Sequence, residues 1–382
     1  QSNLDSGSPS EVSVAQRIPQ PRILEIGNWA PPVCSWSMNL VGLRRELGAR
    51  GWDCRVMNLN ENRRVRSPQY IDVQNGWDYL WKVLRAVKDR CAIHTRVNAE
   101  SVDLYILAFL AMLFAQIGRV PALLTYGGGH IQTYFPAPPR SLRHLAFSIL
   151  FRLPNRIYCN SEAVKKVILT TGIPADRVVP IPHTSGYYMN FDSTAMPDPV
   201  AKYFQAHDGV FFSYVCFRKE FVLEFLAETI RRFRAVHPRI GFLWLGPWDC
   251  EMPKMKEFLR EEKIEDAVLS MGSVPHEMFL NILSHSLAYI RTPMTDGVCS
   301  SVLEAMKLKI PVLASDNGAR PEGTVLFEDG NMESLLKWMT EVVQDREKIV
   351  ARIPEIVLED NAKKMVDDIE SVCVRKAPSQ NR

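Results

Sequence analysis

The sequence lacks paired cysteines and any metal-ligand spacing. Its eight cysteines are scattered singly, with no C-x-x-C among them. That excludes a disulfide framework and a zinc module, and it suits reduced thiols in a cytoplasmic protein. A long apolar run is missing too. The longest, Leu104–Ile117, falls short of the roughly 20 residues that a bilayer requires, so a buried helix is expected there. No secretory leader pattern is visible, and the polar start, residues 1–20, reads as a disordered tail. Charge of one sign is scarce: 46 basic against 43 acidic residues leave a net charge of +3. Nucleic-acid binders concentrate Lys and Arg on one face, so nucleic acid is not an expected partner. There is no short-period repeat and no biased tract. What is present is an ordinary globular composition, 46% hydrophobic and 23% charged, in a chain long enough for two domains.

Order is expected from Arg22. The apolar run RILEIG reads as a strand and NWAPPVCSWS as a loop. MNLVGLRRELGARG is a one-sided helix stopped by Gly51, and CRVMNLN is a second strand. This is a βαβ unit, which implies a parallel sheet. The alternation continues as far as RVVPIPH. Residues 184–208, rich in turn formers, prolines and aromatics, read as an interdomain connection. A second alternation runs from GVFFSYVCF to the helix NMESLLKWMTEVVQD, and a last helix is expected over about 354–374, packing back on the first half. The expected organisation is α/β. A tail occupies residues 1–20, an N-terminal Rossmann-like domain 21–195, a C-terminal Rossmann-like domain 196–350, and a returning helix with a second tail 351–382. Open parallel sheets bind ligands beyond the C-terminal ends of their strands. Chemistry is therefore expected in the loops NWAPPVCSWS, TYGGGH, CFRKE, GPWDC, SVPHE and TPMTDGVCSS.

The stretch TDGVCSSVLEAMKLKIPVLASDNG, from Thr295 to Gly318, allows two readings. In the first, SVLE is a capping box, with Ser301 as N-cap and Glu304 reaching back to the cap amide. This leaves Asp296, Gly297 and the second serine, Ser300, without a role. In the second, free amides from Cys299 to Val302 form an anion site aided by the helix dipole. Gly297 then lets the backbone approach a phosphate, Glu304 accepts hydrogen bonds from ribose hydroxyls, and Asp296 faces an attached sugar.

Asp296-x7-Glu304, followed by AMKLKIPVLAS and NGARPEG, resembles the acid-x7-glutamate signature of retaining glycosyltransferases of family 4, which have the GT-B fold. RILEIGNWAPP, CNSEAVKKVILTTGIPADRVVPIPH and SVPHEMFLNILSHSLAYIRTP resemble further segments of that family. The resemblance covers roughly residues 22–350. It implies two Rossmann-like domains facing across a cleft, with the donor mostly on the C-terminal one. It assigns diphosphate binding to Arg218 and Lys219, ribose binding to Glu304, the donor sugar to Asp296, and the phosphate cradle to Ser300 and Ser301. Val274 lies where the family's backbone meets the base. The chain departs from the pattern in three places. Arg218 and Lys219 are adjacent where the family separates them. Cys34 and Ser35 replace a glycine pair. Gly127 stands where a loop histidine is usual, and His130 is the expected substitute. His183 and His276 read as structural or exposed.

The reaction implied is retaining transfer from a nucleotide diphosphate sugar to a glycan or lipid-linked acceptor. The sequence has no Asp-x-Asp, so neither a metal nor another cofactor is expected. Arg218, Lys219 and backbone amides would stabilise the leaving diphosphate instead. Arg140–Arg156 is basic and amphipathic; it reads either as an ordinary helix with an exposed basic face or as a peripheral contact with anionic membrane. Two rival functions stay open: a GT-B-fold epimerase, and a relative that binds a nucleotide sugar without transferring it.

Overall fold

Strand and helix alternate along the computed structural model, which describes residues 20–30, 35–128, 132–183, 186–189, 196–246, 251–294, 299–318 and 320–374. The first sheet holds β1 (Arg22–Gly27), β2 (Asp53–Asn58), β3 (Ala92–Val97), β4 (Ala122–Tyr126), β5 (Arg156–Cys159) and β6 (Val178–Pro180). They pair in parallel in the order β2-β1-β3-β4-β5-β6. The second sheet holds β7 (Gly209–Tyr214), β8 (Ile240–Leu245), β9 (Val268–Ser270), β10 (Ala288–Arg291), β11 (Val312–Ser315) and β12 (Val325–Phe327). Its order is β12-β11-β10-β7-β8-β9, again parallel. Central strands such as β3 and β8 are buried along their whole length, as sheets covered on both faces require.

The first domain carries α1 (Ser35–Ala49), α2 (Gly76–Lys88), α3 (Val102–Ile117), α4 (Leu142–Arg152) and α5 (Glu162–Leu169). The second carries α6 (Asp198–Ala206), α7 (Leu223–Val236), α8 (Met252–Glu261), α9 (His276–Ser284), α10 (Ser300–Lys307), α11 (Met332–Gln344) and α12 (Arg346–Val350). Side-chain caps start many of them. Asn75, Ser101, Ser141, Ser161 and Asn331 each accept from an amide of the first turn. Helices α2 to α5 pack on one face of the first sheet, and α1 on the other. That second face is completed by α13 (Asn361–Val374), whose Met365, Val366 and Ile369 are buried against Leu43, Leu47 and Tyr158. Arg50 pins it through Asp367 at 2.6 Å and Glu370 at 2.9 Å. The two chain crossings between domains touch, where the Gly186 amide donates to the Glu359 carbonyl at 2.9 Å.

Three expectations need correction. Residues 184–208 are not all connection, because Asp198–Ala206 is a helix that buries Val200 behind the second sheet. The returning helix starts at Asn361, not near 354. Helix α3 is not enclosed: Ala108, Ala111, Met112 and Ala115 face the core, but Val102, Ile106 and Ile117 are exposed.

Candidate active site

In the second sheet the chain begins at β7, winds outward to β9, and then returns to the other side of β7 with β10. Strands β7 and β10 therefore flank the point where the order reverses, and their carboxyl ends open the crevice in which such sheets bind ligands. The two loops there are tied together. Thr292 Oγ1 donates to the Phe221 carbonyl at 2.8 Å, and the Arg291 guanidinium lies 5.1 Å over the Phe221 ring. Arg320 reaches from the far side and donates to the carbonyls of Pro293 at 2.6 Å and Ser315 at 3.1 Å, which fixes the chain just after β10.

Helix α10 starts beside this point, and it is not closed by a capping box. Cys299 is the N-cap and makes no side-chain cap bond. The Ser301 hydroxyl is shared with Tyr289 Oη at 2.8 Å and Cys299 Sγ at 3.1 Å, because β10 places the tyrosine directly beneath it. Glu304 turns away from the helix start. It is 4% exposed, and its Oε1 accepts from His276 Nε2 at 3.0 Å. His276 opens α9 after Pro275, and its ring stacks on Phe279 at 5.8 Å. The histidine read as structural or exposed thus holds the predicted ribose ligand. The Val302 amide, expected in the run of free amides, is not free, since it donates to the Cys299 carbonyl at 3.1 Å. Val274, just before α9, is partly buried against the same core.

Arg218 and Lys219 lie exposed on the loop after β7, where Arg218 is the N-cap of the single turn Lys219–Phe221. The Arg218 charge reaches the first domain. It acts on Glu61, whose carboxyl is raised by partial burial and then by Glu251, with Arg218 and Arg63 opposing.

The first sheet reverses its order between β1 and β3, and a buried polar cluster sits there. Glu25 accepts from His94 Nδ1 at 2.9 Å and from Arg96 Nη1 at 2.9 Å. His94 Nε2 meets Thr125 Oγ1 at 2.8 Å, and Arg96 Nη2 reaches Asn39 at 3.4 Å. Burial alone would raise the Glu25 carboxyl, but His94 and Arg96 outweigh it and hold the group below the usual range. His183 lies nearby and is partly buried. Its pKa is pushed down to about 4, first by burial and then by the Arg96 charge. Trp36 meets His183 edge-on at 6.3 Å. Its indole also explains Gly127: a Cβ there would lie 2.4 Å from Trp36 Cζ2. No side chain fits at 127 while Trp36 holds that place.

Three predicted residues, Asp296, Gly297 and His130, lie outside the described residues, as does Cys34. Among the described residues, no group of three or more His, Cys, Asp or Glu side chains is placed to hold a metal ion. Sequence reasoning read His276 as structural or exposed and did not single out Arg291 or Arg320, although all three lie in segments quoted above; Arg291 shows there as a lone charge ending the apolar run LAYIRTP.

Residues 210–362 match the family model for glycosyl transferases, group 1. A curated relative, glycosyltransferase 1 domain-containing protein 1 of Xenopus tropicalis, is 26% identical over 150 residues. That stretch is 38% of this chain and 42% of the relative, so less than half of the relative is matched. Among solved structures, Anabaena Alr3699/HepE in complex with UDP-glucose superimposes with a TM-score of 0.63 at 13% identity, covering 93% of this chain and 97% of that one. A putative UDP-N-acetylglucosamine 2-epimerase from Listeria monocytogenes gives 0.62 at 14% identity, covering 95% and 99%. The fold is GT-B. The GT-B cleft lies between the two switch points, with Glu304, His276 and Arg218 on its C-terminal side and the Glu25–His94–Arg96 cluster behind its N-terminal side.

Proposed function

We propose that the chain is a retaining glycosyltransferase. It would move a hexose from a nucleotide diphosphate sugar to a hydroxyl of a glycan or lipid-linked acceptor, without a metal. The observation that carries this reading is Glu304, a buried carboxylate freed from capping and fixed by His276 beside the switch point of a group 1 domain. With Oε1 engaged by His276, the carboxylate keeps acceptor capacity for ribose hydroxyls. The diphosphate would lie at the start of α10, held by the helix dipole, by Ser300 and Ser301, and by Arg218 with Lys219 beside it. These groups are in place before charge develops on the leaving group, so they stabilise it without reorganising. Val274 would border the base. Asp296 would contact the donor sugar and Gly297 would admit the phosphate, as the signature implies, and His130 would serve from the glycine loop. The leaving phosphate would take the acceptor's proton as the hydroxyl attacks from the same face.

Because solved neighbours carry UDP or a UDP-sugar, UDP-sugars are the first donors to test. The test is a thermal-shift screen of nucleotide diphosphate sugars, followed by proton spectra of the product anomer. A stabilising donor that is slowly cleaved with its anomeric configuration kept supports the proposal. Inversion, or donor bound but never cleaved with any acceptor, defeats it. The likeness to an epimerase keeps one alternative in view. Conversion of a UDP-sugar to its epimer with no acceptor added would favour that reading.

A further inference from the structure

We propose that the loop after β2 binds the diphosphate of a phosphorylated acceptor through Arg63, Arg64 and Arg66. Its assignment to the acceptor rests on the sugar-transfer reading; the anion site itself does not.

Strand β2 ends at Asn58, and the chain then turns at the carboxyl edge of the first sheet, one strand from its switch point. Buried asparagines build this turn. Asn58 Oδ1 accepts from the amides of Trp29 at 3.0 Å and Asn60 at 2.9 Å, and its Nδ2 donates to Asn62 Oδ1 at 2.7 Å. Asn60 Nδ2 donates to the Trp29 carbonyl at 3.0 Å. The Leu59 amide donates to the Gly27 carbonyl at 2.8 Å, and the Val73 amide to the Arg63 carbonyl at 2.7 Å. The single turn Glu61–Arg64 is thus tied to the chain leaving β1 and to the chain entering α2. Charges carried on a backbone already fixed give up less freedom when a ligand binds.

What the turn presents is positive charge. Arg64 and Arg66 are exposed and Arg63 is half-buried. Among the described residues, none of the three guanidinium groups has a hydrogen bond or an ion pair. Arg55, Arg231, Arg232 and Arg239, also exposed, each meet a carboxylate. The acids that follow the turn are already engaged, since Asp72 and Asp78 share Lys82 at 3.5 Å and 2.8 Å. Glu61 is the one acid in residues 60–70, which leaves that stretch with a net charge of +2. The Glu61 carboxyl answers to Glu251 and Arg218 as well as to Arg63, so the loop lies within Coulombic reach of the second domain. Three like charges in four positions repel one another unless an anion joins them, and guanidinium forks match phosphate oxygens in pairs. A diphosphate that bridges two groups carries two negative charges and meets the net +2. A neutral glycan would leave that charge unanswered, and a single carboxylate would meet half of it. The donor's own diphosphate is placed at the start of α10, so the group left for this loop belongs to the acceptor.

The experiment is calorimetric titration of geranyl diphosphate into the full chain saturated with UDP, with geraniol as the uncharged control. Geranyl diphosphate should bind, more weakly as salt is added, and geraniol should not. Arg64→Gln combined with Arg66→Gln should weaken that binding roughly tenfold, and Arg63→Gln about threefold. The thermal midpoint of the double variant should not move, because both side chains are exposed; if it does, Arg64→Gln and Arg66→Gln made singly decide the matter. UDP affinity should be the same in all of these variants. No binding of geranyl diphosphate to the UDP-saturated chain overturns the proposal, as does binding that geraniol equals or that the arginine variants leave unchanged. UDP affinity that falls as far as probe affinity would assign the arginines to the donor and overturn the acceptor site. A wild-type chain that takes no UDP defeats the sugar-transfer reading, and with it the assignment to an acceptor; geranyl diphosphate titrated alone into the same variants then decides the anion site.

Discussion

Glu25→Gln tests the buried cluster at the first switch point. Glu25 is fully buried and accepts one bond from His94 and one from Arg96, each 2.9 Å long. The substitution keeps the shape and removes the charge. Arg96 then faces a neutral amide in place of the carboxylate, with Asn39 at 3.4 Å, and its Nε already has no hydrogen-bond partner. Breaking a buried ion pair from one side costs about 3–5 kcal/mol, against a total of about 5–15 for a folded domain. At roughly 2–4 °C per kcal/mol for a domain of this size, the thermal midpoint should drop by about 6–20 °C. The pH dependence follows from the directions of the shifts. The Glu25 carboxyl is held below its usual 4.5, so its stabilisation is full above that pH and is lost as pH falls through the depressed value. His94 is held below 6.5, first by burial, so both proteins should soften as pH falls under 6.5. Melting followed by circular dichroism from about pH 7 to about pH 2 should show a gap that stays wide down to 4.5 and narrows only as pH falls below it. A variant that melts with wild type at neutral pH, or a gap that does not change with pH, would refute the reasoning.

Three further outcomes are expected. His276→Ala should weaken nucleotide binding by roughly tenfold, the loss of one hydrogen bond to a charged group, and should also lower the melting temperature because the buried Glu304 carboxylate loses that partner; calorimetric titration with UDP reads the first and thermal melting the second, and unchanged UDP affinity would contradict it. Gly127→Ala should destabilise by about 1–3 kcal/mol through collision with Trp36, and Trp36→Ala in the same chain should relieve part of that; additive losses in thermal melts would rule out the collision. Arg218→Ala should slow donor turnover by about 10²–10³, and a normal rate would remove Arg218 from the site.

Much of the architecture could be read in the chain because parallel strands buried on both faces are short apolar runs, and RILEIG, ALLTY and FLWL leave no other interpretation. Periodicity failed where composition was uniform. In α3 almost every residue is apolar, so no pattern marked which side met the sheet. It failed again at α6, whose two prolines read as turn formers although they sit at the helix start, where proline is tolerated. The stretch around Asp296 and Glu304 offered a local reading as a capping box, and that reading did not survive. Tyr289, on a strand below, takes the Ser301 hydroxyl, and His276, 28 residues away, takes Glu304. Such long-range partners are set by strand order, which adjacent residues do not encode. Gly127 is the same case: its lack of a side chain looked like a lost histidine, but it is required by the Trp36 ring.

Equilibrium titration of UDP into the wild-type chain, Glu304→Ala and Asp296→Ala most directly tests whether a nucleotide sits where α10 begins. Glu304→Ala should bind UDP roughly 10- to 100-fold more weakly, and Asp296→Ala should bind it normally while turning over donor far more slowly. Equal UDP affinity in the wild-type chain and Glu304→Ala would contradict the placement.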